Sequence, residues 1–275
     1  MTAAPQAALL PDGRRLHLHH GPIDLIIEVI GAPREAAYAH ATARFQTILS
    51  ELVAELPALR RPLDGSPLQG PVAKRMARAV APFTDFITPM AAVAGAVADE
   101  ILLALVASDP IPKAHVNNGG DIAFHIAPGQ SVTARSVAGD IEIAAKAPTR
   151  GMATSGRSGR SFSLGIADAV TVLARSAAEA DAAATLIANA VNLPCHPAIT
   201  RAPARDISPD SDLGDRLVTT DVGPLTIAET AEALARGTER GRNFLARGLI
   251  HGATLSLNGQ LALVTPEPEK SLARA

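Results

Sequence analysis

Tryptophan is absent from this chain, tyrosine occurs once, at Tyr38, and phenylalanine six times in 275 residues. So few rings exclude a base-stacking platform for single-stranded nucleic acid. They also leave the core to be built from Ala, Val, Leu and Ile. Cysteine occurs once, at Cys195, which excludes an intrachain disulfide and fits a cytoplasmic setting. No long apolar run is uninterrupted. The strongest, residues 91–107, is broken by Asp99 and Glu100 and is short of the about 20 residues a membrane span needs, so it reads as a buried helix. The opening MTAAPQAALLPDGRR lacks the basic-then-apolar order of a secretory signal. Net charge is only −2, and Lys and Arg are scattered rather than striped, which argues against a nucleic-acid surface. A dinucleotide glycine fingerprint, a Walker A loop, a CxxC pair and a fixed-period repeat are all missing.

What is present is a globular composition, 47% hydrophobic and 19% charged, over a length that buries a substantial core. We expect a single domain over residues 1–275, built as one body or as two intimate lobes, with a frayed tail after 265. Hairpin signals recur. Residues 14–20 and 23–30 flank Gly21-Pro22, residues 131–137 and 140–145 flank Ala138-Gly139, and residues 249–257 and 260–264 flank Asn258-Gly259. Asn117-Asn118-Gly119-Gly120 marks a tight turn between two strands within 115–126. Helical spacing covers 33–56, ended by Pro57, then 71–80, 91–106, 176–191 and 226–247. Residues 198–214, rich in Pro and Asp, read as loop. Helices inserted among hairpins make an α+β pattern with mostly antiparallel sheets, not a βαβ alternation.

The most informative stretch is residues 151–192, a Gly/Ser/Arg loop, a strand and a small-residue helix. Asp181 and Thr185 are four apart, so on a helix they share a face one turn apart. A carboxylate stacked on a hydroxyl beside a basic loop suits a magnesium-bound phosphate ester. The same pair also reads as a solvated face, or as an acid favouring the helix dipole.

Four segments, in order, resemble the ApbE-type flavin transferase superfamily. AVAGAVAD at 92–99 resembles that family's SGIAKGYAVD stretch. NNGGDI at 117–122 resembles its GG[DEN]I turn, ATSG at 153–156 its ATSG strand end, and ADAAAT at 180–185 its ADALAT helix. They span the middle third of the chain. The resemblance implies an ApbE-like fold and an enzyme that takes FAD, cleaves its pyrophosphate, joins the FMN part to a Thr or Ser hydroxyl of an acceptor protein and releases AMP. It further implies Mg2+ held by Asp181, Thr185 and the Ala94 carbonyl. Departures exist. The family's lysine after the alanine falls on Gly95, and the HxIDPxTG segment that follows ATSG is replaced by Arg157-Ser158-Gly159-Arg160-Ser161. The chain therefore looks like a cytoplasmic ApbE-like branch distinct from typical transferases.

Several residues carry two readings. Asn117, Asn118, Gly119, Gly120 and Asp121 are either a plain turn or face an FAD or FMN ligand. Thr154, Ser155, Gly156, Arg157 and Arg160 are either a flexible loop or a phosphate grip, since the arginine forks suit phosphate. Asp168 is a strand-edge carboxylate, a base or a second metal ligand. His17, His19 and His20 cannot converge from one strand, and Cys195-His196 reads as a rigid loop between prolines rather than a nucleophile pair. Three functions stay open: flavin transfer or FAD cleavage, catalytically silent cofactor binding, and an enzyme on another anionic small molecule.

Overall fold

The computed structural model describes residues 4–31, 33–107 and 110–266. In chain order its elements are β1 (Gln6–Leu9), β2 (Leu16–His20), β3 (Ile23–Ile30), α1 (Arg34–Leu59), α2 (Pro71–Val80), a 3-10 turn (Pro89–Ala92) and α3 (Val93–Leu105). Then follow β4 (Lys113–Asn118), β5 (Asp121–Ile126), β6 (Ser131–Ser136), β7 (Gly139–Ala144), β8 (Gly151–Ser155), β9 (Ala169–Ala174) and α4 (Ala177–Ala190). The last are β10 (Ile199–Pro203), α5 (Ala204–Ile207), β11 (Leu217–Val222), α6 (Ile227–Ala246), β12 (Gly252–Leu257) and β13 (Gln260–Val264). This is the α+β class expected. No helix among the described residues is long and apolar enough to cross a membrane.

Nine strands form one sheet in the order β1-β2-β3-β4-β5-β8-β9-β12-β13, and each registered neighbour is antiparallel. Alternation along the strands sorts the faces. In β2, Leu16, Leu18 and His20 are buried while His17 and His19 are half-buried. Leu25 and Ile27 of β3, Val116 of β4, Val172 of β9 and Leu255 of β12 are fully buried against α1, α3, α4 and α6. Each such side chain contributes roughly 1.5–3 kcal/mol by leaving water. The opposite face is covered near β5 by the β6–β7 hairpin, where Phe124, Ile126 and Met152 meet Val132 and Ile143 in a second cluster.

Alanine lets α4 sit deep. Ala177, Ala178, Ala180, Ala182, Ala183, Ala184 and Ala188 are all buried. Two glycines allow its first turn to approach. A Cβ on Gly95 would lie 2.3 Å from the Ala177 carbonyl oxygen, and one on Gly151 would lie 2.0 Å from the Ser176 carbonyl carbon. Position 95 therefore admits no lysine.

Three expectations change. α1 runs through Pro57 to Leu59, because fully buried Leu59 anchors the last turn to the core. The segment 198–214 holds β10 and α5, with β10 paired to β11 in a separate two-stranded sheet. β1 precedes the first expected hairpin. The frayed tail expected after 265 falls, from residue 267 on, outside the described residues.

Candidate functional site

A tight turn sets the site. Gly119 and Gly120 both have positive φ, +66° and +114°, as a two-residue hairpin turn between right-twisted strands requires. The turn is shorter than expected, so Asn118 ends β4 and Asp121 opens β5, directly opposite one another in the ladder. Both side chains are buried. Asn118 donates from Nδ2 to the Ala94 carbonyl at 3.0 Å. Asn117, one residue back, accepts the Gly120 N–H on Oδ1 at 2.8 Å and so shapes the turn.

Asp121 accepts the Thr154 N–H from β8 at 3.3 Å, and its carboxyl lies beside that of Asp181 on α4, close enough for each to act on the other's charge. Asp181 Oδ2 in turn accepts the Gly95 N–H at 3.1 Å, so it sits on the amide-rich start of α3. The favour is returned. Asp99, on α3, accepts the N–H groups of Ala177 and Ala178 at 3.0 Å each and satisfies the start of α4. Each helix caps the other, which meets the unsatisfied amides both would otherwise bury. Ser176 adds a local cap, accepting the Glu179 N–H. Asp99 was read only as a break in an apolar run, and its capping role could not be seen without the partner helix.

Two carboxyl groups in contact inside a protein cannot both ionise cheaply. Desolvation by burial pushes Asp121 up to about 7, with the Thr154 amide pulling the other way. Desolvation and the charge of Asp121 push Asp181 well above the carboxylate range, against the pull of the Gly95 and Ala94 amides. The pair titrates as a unit and holds a proton that a divalent cation can replace.

These residues line a cavity of about 450 Å3 with Ala94, Asn118, Gly119, Thr154, Ser155, Gly156, Arg160 and Thr185. The structure thus gathers most of the expected residues. Arg160 crosses over Gly119, where a Cβ would meet its Nη2 at 2.0 Å. Asn117 and Gly120 line an adjoining groove that Arg160 also borders. Arg157 and Asp168 are placed elsewhere. Arg157 grips Asp168 through Nε at 3.1 Å and Nη2 at 2.7 Å, and Asp168 Oδ2 accepts the Asn258 N–H at 2.6 Å. That carboxylate is occupied in tying two loops together, and neither residue is among those lining the cavity. Sequence reasoning missed Met90, Phe162, Ser208, Ser211, Asp212 and Leu213, which also line it. The segment 198–214, read as plain loop, carried no local signal for the last four.

The donors facing the cavity suit a hard cation: two carboxyls, the Thr185 hydroxyl and the Ala94 carbonyl, whose second lone pair Asn118 leaves open. Among the described residues no three of His, Cys, Asp and Glu cluster closely enough to hold a metal by themselves. Any ion here would take part of its shell from water or ligand, as Mg2+ does.

Comparison with known proteins places the chain. The UPF0280 protein of Methanopyrus kandleri is 37% identical over 184 residues, 60% of this chain and 69% of that protein. The UPF0280 protein of Methanothrix thermoacetophila is 41% identical over 138 residues, 47% of this chain and 55% of that one. The match to the second relative thus spans about half of its length. A variant of the flavin transferase ApbE from Vibrio cholerae aligns over 96% of this chain and 97% of its own, at 13% identity and a TM-score of 0.47. A family model described as AbpE bacteria matches residues 7–263, nearly the whole sequence, and the chain belongs to that family.

Proposed function

We propose that this cavity binds FAD, or a closely related pyrophosphate nucleotide, together with Mg2+, and that the chain transfers the FMN part of FAD to a hydroxyl acceptor. The observation that carries the reading is the placement of two buried carboxyls, Asp121 and Asp181, on one cavity that Arg160 also borders. Asp181, Asp121, Thr185 and the Ala94 carbonyl would hold the ion. When bound, Mg2+ supplies charge neutralisation on the pyrophosphate. Arg160 grips a phosphate oxygen through its planar fork, and Gly119 leaves the room for it. In the transfer the acceptor oxygen, on a Ser or Thr of a partner protein, bonds to the FMN-side phosphorus. The bond from that phosphorus to the bridging oxygen breaks, AMP leaves with the electron pair, and the hydroxyl proton passes to solvent.

A second reading, binding of the cofactor without turnover, is favoured by one observation: among the described residues no histidine or lysine lines the cavity to take the acceptor's proton, and Asp168 is held by Arg157. One experiment separates the two. Purified protein is incubated with FAD and Mg2+, with and without Ser/Thr-containing acceptor peptides, and AMP is followed by chromatography, with a chelator control. AMP that depends on Mg2+ and disappears in Asp181→Asn supports transfer. Bound, uncleaved FAD supports the silent reading. FAD neither bound nor cleaved overturns both.

A further inference from the structure

The cavity has a second pole that the acid pair does not explain. Asp212 lines the same space, yet no three acidic, His or Cys side chains among the described residues lie close enough to share an ion. Asp212 enters the cavity from the segment between α5 and β11, a different part of the fold from Asp121 on β5 and Asp181 on α4. Its Oδ2 accepts a hydrogen bond from Thr88 Oγ1, and Thr88 is 2% exposed, so a buried hydroxyl fixes the carboxylate's orientation. None of the ion pairs among the described residues involves Asp212; its neighbours Asp210 and Asp215 pair with Arg60 and Arg205 instead. A half-buried carboxylate without a cation is acceptor-only. It repels phosphate and favours a ligand that brings N–H or O–H donors.

Phe162 lines the cavity as well and is the only aromatic residue to do so among the described residues. It is 36% exposed, so a ring in a chain short of rings is left partly uncovered at the cavity. Its segment is held on both sides. The Leu164 N–H donates to Asn189 Oδ1 of α4 at 2.9 Å, and the Thr219 N–H donates to the Ser163 carbonyl at 2.8 Å. The loop carrying Asp212 is tied by the Leu213 N–H to Ser211 Oγ at 3.3 Å. The four stretches that carry the family likeness supply Ala94, Asn118, Asp121, Thr154 and Asp181. Phe162 and Asp212 come from two other segments.

We propose that Phe162 and Asp212 form a specificity subsite for the uncharged part of the ligand, an aromatic ring with adjacent hydroxyl or ring N–H donors. This rests on reading the acid-pair end as the pyrophosphate and cation site. Phe162 packs against the ring, and Asp212 accepts from the donors. The cavity is thereby divided in function, with phosphate and cation held by Asp121, Asp181 and Arg160, and identity read by Phe162 and Asp212.

The test compares Mg2+-dependent affinities of FAD, ATP and inorganic pyrophosphate for the wild-type protein, Asp212→Asn and Phe162→Ala by calorimetry. Asn keeps an acceptor for Thr88 and Phe162 is exposed, so neither change threatens the fold. The wild type should prefer a nucleoside-bearing probe over bare pyrophosphate. Each variant should cut that preference about tenfold, the scale of one lost polar or stacking contact, with pyrophosphate affinity unchanged in Phe162→Ala and unchanged or raised in Asp212→Asn. A preference for ATP over FAD removes the flavin reading and leaves the subsite standing if the variants erase that preference. No wild-type preference over pyrophosphate, a preference the variants leave intact, or an equal loss for pyrophosphate overturns the subsite.

Discussion

At the scale of single residues, the site depends on side chains whose partners are far away in sequence. The Asp181 and Thr185 spacing was legible, because a helix turn places residues four apart on one face. The partnership of Asp181 with Asp121 was not, since it joins a helix to the start of a strand sixty residues earlier. Asp168 misled because a carboxylate beside a strand carries no mark of its neighbours, and Arg157 and Asn258 claim it. Asp181→Asn should weaken Mg2+ binding by at least the about 10- to 100-fold that loss of even an outer-shell partner costs, measured by titration calorimetry. Gly119→Ala should displace Arg160, whose flexible end occupies the space a Cβ would take. We expect pyrophosphate affinity to fall about tenfold or more, as for loss of one charged hydrogen bond. In an Arg160→Ala background the same change should cost almost nothing further, because the two act through one contact.

At the scale of elements, hairpins were legible because glycine turns and alternating residues declare them locally. The Asn258-Gly259 turn formed as expected, and the helix expected from 226 begins at Thr226, in a capping box with Glu229 that the sequence reading did not name. What stayed hidden was decided by tertiary packing. α1 passes Pro57 because burying Leu59 outweighs a proline in the last turn, and β10 exists because β11 pairs with it. The mutual capping of α3 and α4 belongs here too. Asp99→Ala leaves two amides at the start of α4 without their acceptor and should cost about 2–4 kcal/mol, read by denaturant unfolding. Gly95→Ala drives a methyl into the Ala177 carbonyl and should cost about 3 kcal/mol or more. Asp99→Ala should also weaken Mg2+ binding, because the α4 turn it fixes carries Asp181.

For the whole molecule, the acid pair ties stability to pH and to the ion. The unfolded carboxyls lose their protons near pH 4, while burial holds Asp121 protonated up to about 7 and pushes Asp181 well above the carboxylate range. Between those values the folded state binds more protons, so metal-free stability contributed by the pair falls as pH rises and then levels off. The difference in stability between wild type and Asp181→Asn, without metal, should therefore decline from pH 5 to pH 8. Mg2+ replaces the proton, so it should raise the melting temperature more at pH 8 than at pH 5, by roughly 5–10 °C at a hundredfold excess over Kd. An equal Mg2+ effect at both pH values would contradict this. The α+β class and the order of the sheet's hairpins were readable at this scale. The cavity was not, since its lining comes from segments scattered between Met90 and Leu213.

The most direct test is anomalous diffraction from crystals soaked in Mn2+, a stand-in for Mg2+ that scatters anomalously. The account predicts one strong peak contacting the carboxylates of Asp121 and Asp181, with Thr185 and the Ala94 carbonyl beside it, and no such peak in Asp181→Asn. A wild-type map without density at that pair, or with the ion bound at Asp212 or Asp168 instead, would contradict it.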